Sequence, residues 1–420
     1  MVLELASSPE SRWKSLPADQ VCTKITKGTT PPKSEIVADQ DIPFVRVNNL
    51  TVGGGNGLAG GVIYVTGEAH RGILARSIAK PGDILMNIVG PPLGKLTMLG
   101  DEFAEYNLNQ AVLIFRPDTR IVSKEFLFAY LCSEVAQTWL EGRSKKTSGQ
   151  QNLTIEVCKE LSIPLPPLRE QQKIAEILST WDKAIQTTEA LLANARTQKR
   201  ALMQALLTGT RRFPSFEGQP WREVRLKQIA DIIVSNVDKK SETDELPIRL
   251  CNYTDVYKND TIRNGMDFME ATATTAQIKR FRLKVGDVII TKDSEDPTDI
   301  AISAYVAEAA DDLVCGYHLA IIRANDQADG RFLKYCFELP HTRYYFGARA
   351  NGATRFGLNI GSIETAVFRV PSVEEQRAVA DAIWLVEQEI SHTIRELDHL
   401  RTEKKPLMQQ LLTGKRRVVA

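Results

Sequence analysis

Two stretches of this chain carry apolar residues at alternating steps of four and three. The first reads Ile174, Leu178, Trp181, Ile185, Thr188, Leu192, Ala195, Lys199, Leu202 and Leu206. Adding 205 to each position gives Val379, Ile383, Val386, Ile390, Thr393, Leu397, Leu400, Lys404, Leu407 and Leu411. Eight of the ten positions are apolar in each stretch, and the polar exceptions, Thr188 with Thr393 and Lys199 with Lys404, coincide. This spacing lays one stripe along a helix, the seam of a coiled coil. It predicts two equal helices of about 40 residues, each roughly 60 Å long at 1.5 Å per residue. Helices of that length outreach a single domain, so antiparallel packing on each other is the expected way to bury both stripes.

The stripe belongs to a larger repeat. Residues 166–212 align with 371–417 without a gap, and 19 of the 47 positions are identical. The start pairs Pro166, Glu170 and Gln171 with Pro371, Glu375 and Gln376; the end pairs LMQALLTGTRR with LMQQLLTGKRR. Ser372 and Glu375 have the spacing of a capping box. Gly209 and Gly414 sit where helices end, each followed closely by two arginines that suit a helix C-terminus. Pro406, in place of Ala201, predicts a kink or local unwinding of the second helix.

Upstream the match is weaker: PGDIL at 81–85 faces VGDVI at 285–289, Phe126-Leu127 faces Phe332-Leu333, and Trp13 faces Trp221. A globular domain followed by a long helix, used twice, predicts two similar domains at a set separation about an approximate two-fold axis. Well-matched helices imply a shared scaffold, and poorly matched domains imply that each binds something different.

Within the domains the period changes. Residues 13–160 carry short β-type runs at 44–47, 61–65, 83–86 and 111–115, then a helical stretch at 125–140. Residues 221–366 repeat the theme at 247–250, 287–291 and 319–323, with a helical stretch at 330–337. The class is α+β with a mixed or antiparallel sheet. The expected division is a domain at 1–165, a helix at 166–212, a second domain at 213–370 and a second helix at 371–420.

Composition narrows the function. With 53 Lys and Arg against 52 Asp and Glu, no global positive field advertises nucleic acid, so any such binding must use local patches. The six scattered cysteines form no Cys-x-x-Cys pair, which predicts a reduced, metal-free protein. MVLELASSPESR lacks the features of a signal peptide, and no apolar run approaches about 18 residues, so the expected location is the cytoplasm, off the membrane.

Three apparent motifs fail. Gly55-Asn56-Gly57-Leu58-Ala59-Gly60 has dinucleotide spacing but leads into a strand rather than a helix, so it is expected to be a flexible hairpin loop. Gly90-Pro91-Pro92-Leu93-Gly94-Lys95 is one residue short of a phosphate loop, and Leu96 stands where the hydroxyl residue is needed. The run Asp293-Ser294-Glu295-Asp296 lacks a suitably placed lysine for a nuclease and reads as a solvated loop. No Ser/His/Asp or Cys/His arrangement emerges.

The layout, with PLPPLREQQKIAEIL leading to ALMQALLTG and later VPSVEEQRAVADAI leading to PLMQQLLTG, resembles the specificity subunit of Type I restriction-modification enzymes. Lys27-Gly28-Thr29-Thr30-Pro31 is similar to that family's early Gly-x-Thr-Pro segment, and Ser148-Gly149-Gln150-Gln151-Asn152-Leu153 to the turn before its first helix. The second domain departs from both, with Val234-Ser235-Asn236 and Thr354-Arg355-Phe356-Gly357-Leu358 in those places.

The resemblance implies two target recognition domains, each reading one half of a bipartite, asymmetric site in double-stranded DNA. The helices would set the unread spacer and dock two modification (methyltransferase) subunits, which restriction (translocase and endonuclease) subunits join in defence against phage. It also implies a non-catalytic chain with no cofactor of its own. S-adenosylmethionine belongs to the methyltransferase subunit, and ATP and Mg to the restriction subunit.

Base readout needs bidentate donors and phosphate contacts need cations or hydroxyls. The candidates in the first domain are Lys24, Lys27, Thr29, Thr30, Lys33, Asn87, Arg143, Lys145, Lys146, Gln150 and Gln151. Those in the second are Lys239, Lys240, Asn252, Lys292, Arg343, Arg349, Asn351 and Arg355. A rod of roughly 60 Å would offset two major-groove readers by one to two turns of DNA. The competing reading, favoured by the missing charge excess, is a coiled-coil protein-interaction adaptor without DNA specificity.

Overall fold

The computed structural model describes residues 13–38, 42–147 and 149–418; the opening segment and Ser148 lie outside the described residues. Two compact units form, one from residues through Glu189 together with Arg395 onward, the other from Ala190–Ile394. Each unit therefore contains part of both long helices, Leu168–Leu207 and Val373–Leu412, of 40 residues each.

Every seam position is buried or half-buried. In the first unit Ile174 and Leu178 share a core with Leu411 and Leu412, while Asp182 pairs with Lys404 and Glu189 with Arg401. In the second, Leu206 and Met203 share a core with Val379 and Ile383, and Lys199 bonds Glu387 at 2.6 Å. Partner numbers rise on one helix as they fall on the other, so the pairing is antiparallel within each unit. Glu387 is the 205-residue counterpart of Asp182, so the seam lysines make one ion pair twice. Thr188 and Thr393 turn their hydroxyls to the carbonyls of Ala184 and Glu389, four residues back, which satisfies them inside the stripe.

The ends of the repeat are tied by buried charge. Arg212 donates Nε and Nη2 to the Glu375 carboxylate at 2.8 and 2.5 Å, and Arg417 donates to Glu170 at 2.7 and 2.8 Å. The carboxylates are buried, Glu375 being 1% and Glu170 3% exposed. The adjacent amides stitch helix to domain. Gln171 accepts from the Ser123 N–H and donates to the Ile121 and Pro166 carbonyls. Gln376 does the same with Asp329, Gln327 and Pro371.

The guanidinium of Arg417 lies over Trp13 and that of Arg212 over Trp221. Gly414 and Gly209, at φ +73 and +72, sit so close to these rings that an added Cβ would meet indole carbon at 3.3 Å. Both left-handed geometry and close approach demand glycine there.

Three helix-end expectations are corrected. The second arginine of each pair spans to a buried carboxylate rather than serving its own helix end. The capping box at Ser372 is half formed: its hydroxyl accepts from the Glu375 N–H at 3.4 Å, but the Glu375 side chain is turned to Arg212. The helix runs through Pro406 without unwinding. Pro406 and Thr402, whose carbonyl it frees, are both exposed.

The first unit carries an antiparallel sheet in the order Cys22–Lys27, Val112–Pro117, Ile84–Asn87, Leu96–Met98. A second sheet there includes the parallel pair Pro43–Val45 and Asn107–Leu108. The second unit has a five-stranded sheet, Ala230–Val234, Leu319–Ala324, Val288–Thr291, Ser303–Val306 and Thr261–Ile262, and a three-stranded one on Leu246–Cys251, both mixed. In each main sheet the Gly-Asp turn is pinned identically. Asp83 and Asp287 are buried, cap the Lys80 and Lys284 N–H groups, and pair with Arg116 and Arg323 on the next strand at 2.7 Å.

The helix expected at 125–140 is two helices, Lys124–Cys132 and Glu134–Glu141. Ser133 is extended and caps the second by accepting from the Ala136 N–H. The second domain has the same pair, Gly330–Glu338 and Pro340–Gly347, of which the sequence pattern predicts only the first. The glycine loop after Thr51 is tied rather than flexible: Asn49 donates to the Ala59 and Gly61 carbonyls, and Thr97 to Gly55.

Among the described residues no helix is long and apolar enough to cross a membrane, and no group of His, Cys, Asp and Glu could hold a metal ion. Burial pushes the thiols of Cys22, Cys132 and Cys158 up to about 12, so they stay protonated.

We expect Arg212→Ala to destabilise the Ala190–Ile394 unit by about 3 kcal/mol, because it strands a buried carboxylate. Arg212→Ala with Glu375→Gln should recover much of the loss. Hydrogen exchange across 222–234 and 319–337 measures both; equal protection in all three proteins would contradict the tie.

Candidate nucleic-acid interface

The candidates fall into several local settings. In the first domain the hairpin Lys145–Thr147 and Gln150–Asn152 adds to the short strand Val89–Gly90 through Gln151 and Asn152. The turn glycine, Gly149, has φ +82, a conformation that glycine supplies without strain. Arg143, Lys145, Lys146 and Gln150 are exposed on or beside this hairpin, and Gln151 is half-buried within it. The structure thus brings five candidates next to the loop at 90–95.

That loop depends on Asn87, which is 0% exposed. Its amide donates to the Val89 and Pro92 carbonyls at 3.0 and 2.8 Å and accepts from the Lys95 N–H at 2.7 Å. Asn87 shapes the loop and has no edge left for a base, which corrects its place among the candidates. Lys24 is only partly accessible. It is a half-buried strand residue beside Arg116, where burial first and that guanidinium second hold its pKa below the ordinary value.

Lys27 and Lys33 are exposed at either end of a segment whose hydroxyls are occupied: Thr29 accepts from Arg76, and Thr30 from Asn109. Gly28 between them packs on backbone; an added Cβ would lie 2.1 Å from the Leu108 carbonyl oxygen. In the second domain Ser235 stands here and donates its hydroxyl to the Cys315 carbonyl, which explains how the domain dispenses with the glycine.

The second domain builds a cleft of about 490 Å³ lined by Lys239, Tyr253, Thr254, the loop from Asp293 to Asp299, His318 and Arg355. Its loop follows strand Val288–Thr291 just as 90–95 follows Ile84–Asn87. Asp293–Ser294 pairs with Phe356–Gly357 as Val89–Gly90 pairs with Gln151 and Asn152. Lys239 and Arg355, remote in sequence, are thereby brought together. Lys240, Arg343, Arg349 and Asn351 are exposed, Asn351 bridging to Gly357; Asn252 is half-buried directly before Tyr253.

Lys292 is committed rather than free. It bonds Asp293 at 2.6 Å, and Asp293 also accepts from His318 Nδ1 at 2.9 Å. Asp296, held below the usual carboxylate range by the Thr298 N–H and hydroxyl, faces the same cleft. The acidic run is therefore a wall of the cleft and not only a solvated loop. Its position after the same strand as Val89–Gly90 was the available sequence signal; Tyr253 and His318 carried none.

Residues 10–195 match the family described as the Type I restriction modification DNA specificity domain. The chain is 23% identical to the Type I restriction enzyme MjaVIII specificity subunit of Methanocaldococcus jannaschii, covering 94% of this chain and 91% of that one. Its fold is similar to the crystal structure of the Type I system S subunit from M. genitalium, with a TM-score of 0.60 at 16% identity over 98% and 99% of the two chains. A chain from work on complex assembly and conformational transition of the type I R-M system is similar at a TM-score of 0.57 and 17% identity, covering 97% and 99%.

We expect Asn87→Ala to cost about 1–3 kcal/mol by leaving buried backbone groups unpaired, and Lys145→Ala to leave thermal stability unchanged. Calorimetric unfolding distinguishes them, and an unchanged transition for Asn87→Ala would show that the amide does not hold the loop.

Proposed function

Because this chain belongs to the specificity-subunit family of Type I restriction-modification systems, we propose that each of its domains reads one half of a bipartite, asymmetric DNA target. The observation that carries the reading is the pair of equivalent loops. Each follows the same sheet strand above the same Asp–Arg pin and leans on a short antiparallel partner, yet one continues as Pro-Pro-Leu-Gly-Lys and the other as Glu-Asp-Pro-Thr-Asp. A constant frame under chemically opposite tips is what reading two different sequences requires.

The paired helices set the number of unread base pairs and dock two methyltransferase subunits, and restriction subunits join that core. The repeated Lys199–Glu387 and Lys404–Asp182 pairs support this role, because they hold the helix register in each unit. The chain itself contributes no catalytic group. Methyl transfer from S-adenosylmethionine and ATP- and Mg-dependent translocation belong to the partner subunits, and the complex works on double-stranded DNA in the cytoplasm.

Loss of this gene should erase one bipartite methylation motif from the genome, and methylome sequencing reads the result directly. Adding one helical turn, about four residues, within 185–200 should change the spacer and leave both half-sites as they were. An altered half-site sequence would refute the spacing role.

A further inference from the structure

One feature is built twice where the surrounding sequence of the two domains has diverged. The helix Glu134–Glu141 ends at Gly142, and Arg143 folds back with its guanidinium 4.0 Å over the Trp139 ring and one Nη donating to the Trp139 carbonyl at 3.4 Å. The helix Pro340–Gly347 ends at Ala348, and Arg349 lies 3.7 Å over Tyr345 with one Nη donating to the Tyr345 carbonyl at 3.3 Å. The caps match as well: the Gly142 N–H donates to the Leu140 and Thr138 carbonyls, and the Ala348 N–H to Phe346 and Tyr344. Across 137–143 and 343–349 this arginine is the one identical residue.

Both arginines are exposed, and each stands just before a segment whose antiparallel partner, Gln150–Asn152 or Phe356–Gly357, pairs beside its domain's variable loop. The next positions diverge at once, to Lys145 in one copy and Asn351 in the other. Stacking on a ring and bonding a carbonyl uses one edge of the guanidinium and fixes its plane before any ligand arrives. The remaining N–H donors face solvent in a geometry suited to a bidentate oxyanion. A lysine could serve the helix end equally well; the aromatic platform kept in both copies adds orientation, which a helix end does not need.

Resting on the DNA-reading function above, we propose that Arg143 and Arg349 form a duplicated phosphate clamp that grips the backbone at both half-sites independently of sequence. The two half-sites differ in bases and share only their backbone. A residue retained in both domains amid diverged loops is therefore matched to phosphate.

The test uses the full-length chain assembled with its methyltransferase, a duplex bearing the methylome-defined target, and a duplex of equal length with both half-sites scrambled. Arg143→Ala and Arg349→Ala should each weaken binding to both duplexes alike, by roughly tenfold. Each should make the slope of log affinity against log salt shallower by about one, leaving the methylated motif unchanged. Arg→Lys should keep the salt slope and recover part of the affinity.

A loss confined to the target duplex, or a relaxed motif, would make these base readers and overturn the proposal. Unchanged affinity and slope with a lower melting temperature would reduce them to helix caps. A wild-type complex that binds both duplexes equally would remove the DNA-reading premise itself, an outcome visible before any variant is made.

Discussion

The structure depends on a buried carboxylate at the first turn of each long helix, answered by an arginine from the end of the other repeat copy. Taking Glu170 and Glu375 out of water is costly unless each is fully paired, and in both units the pairing is bidentate and backed by an indole ring. The tie does what hydrophobic packing alone does poorly. An apolar stripe tolerates sliding by a heptad, whereas a buried charge has one acceptable partner. Register along each antiparallel segment is thereby set at one end by Glu–Arg, at the next position by the glutamine bonds to the domain, and further along by Lys–acid pairs in the seam.

With the frame held this way, the loops are free to differ. The Asp–Arg pin at each Gly-Asp turn repeats in both sheets, and beyond it the chains part company: a loop braced by Asn87 in one domain, an acid-walled cleft in the other. Divergence is concentrated where no buried group depends on residue identity. The arginine stacked at the end of the second short helix runs against that trend, an exposed residue kept in both copies.

The candidate interface was partly legible beforehand. Exposed cations in turn-forming segments, such as Lys145, Lys146, Lys239 and Arg355, were found because such residues seldom serve a core. Asn87 is not legible for the converse reason: residue type cannot report burial, and a buried asparagine bracing a turn has the same letter as one reading adenine. The acidic wall is not legible in sequence because its residues suit several roles, and only the partner strand at Phe356–Gly357 shows which space they face. The single helix expected at 125–140 became two because Ser133, neutral in a pattern count, offers a hydroxyl cap that outcompetes continuation.

By itself the sequence determined the duplication, both 40-residue helices, their seam and the mixed α+β class, because periodicity and repetition are properties of order along the chain. Tertiary structure alone decided that Arg212 answers Glu375 and Arg417 answers Glu170, that the proline at 406 is tolerated, and that Lys239 and Arg355 share a cleft. Each of those facts depends on which residues distant in sequence meet and on how much water remains between them, and neither quantity is written in local order.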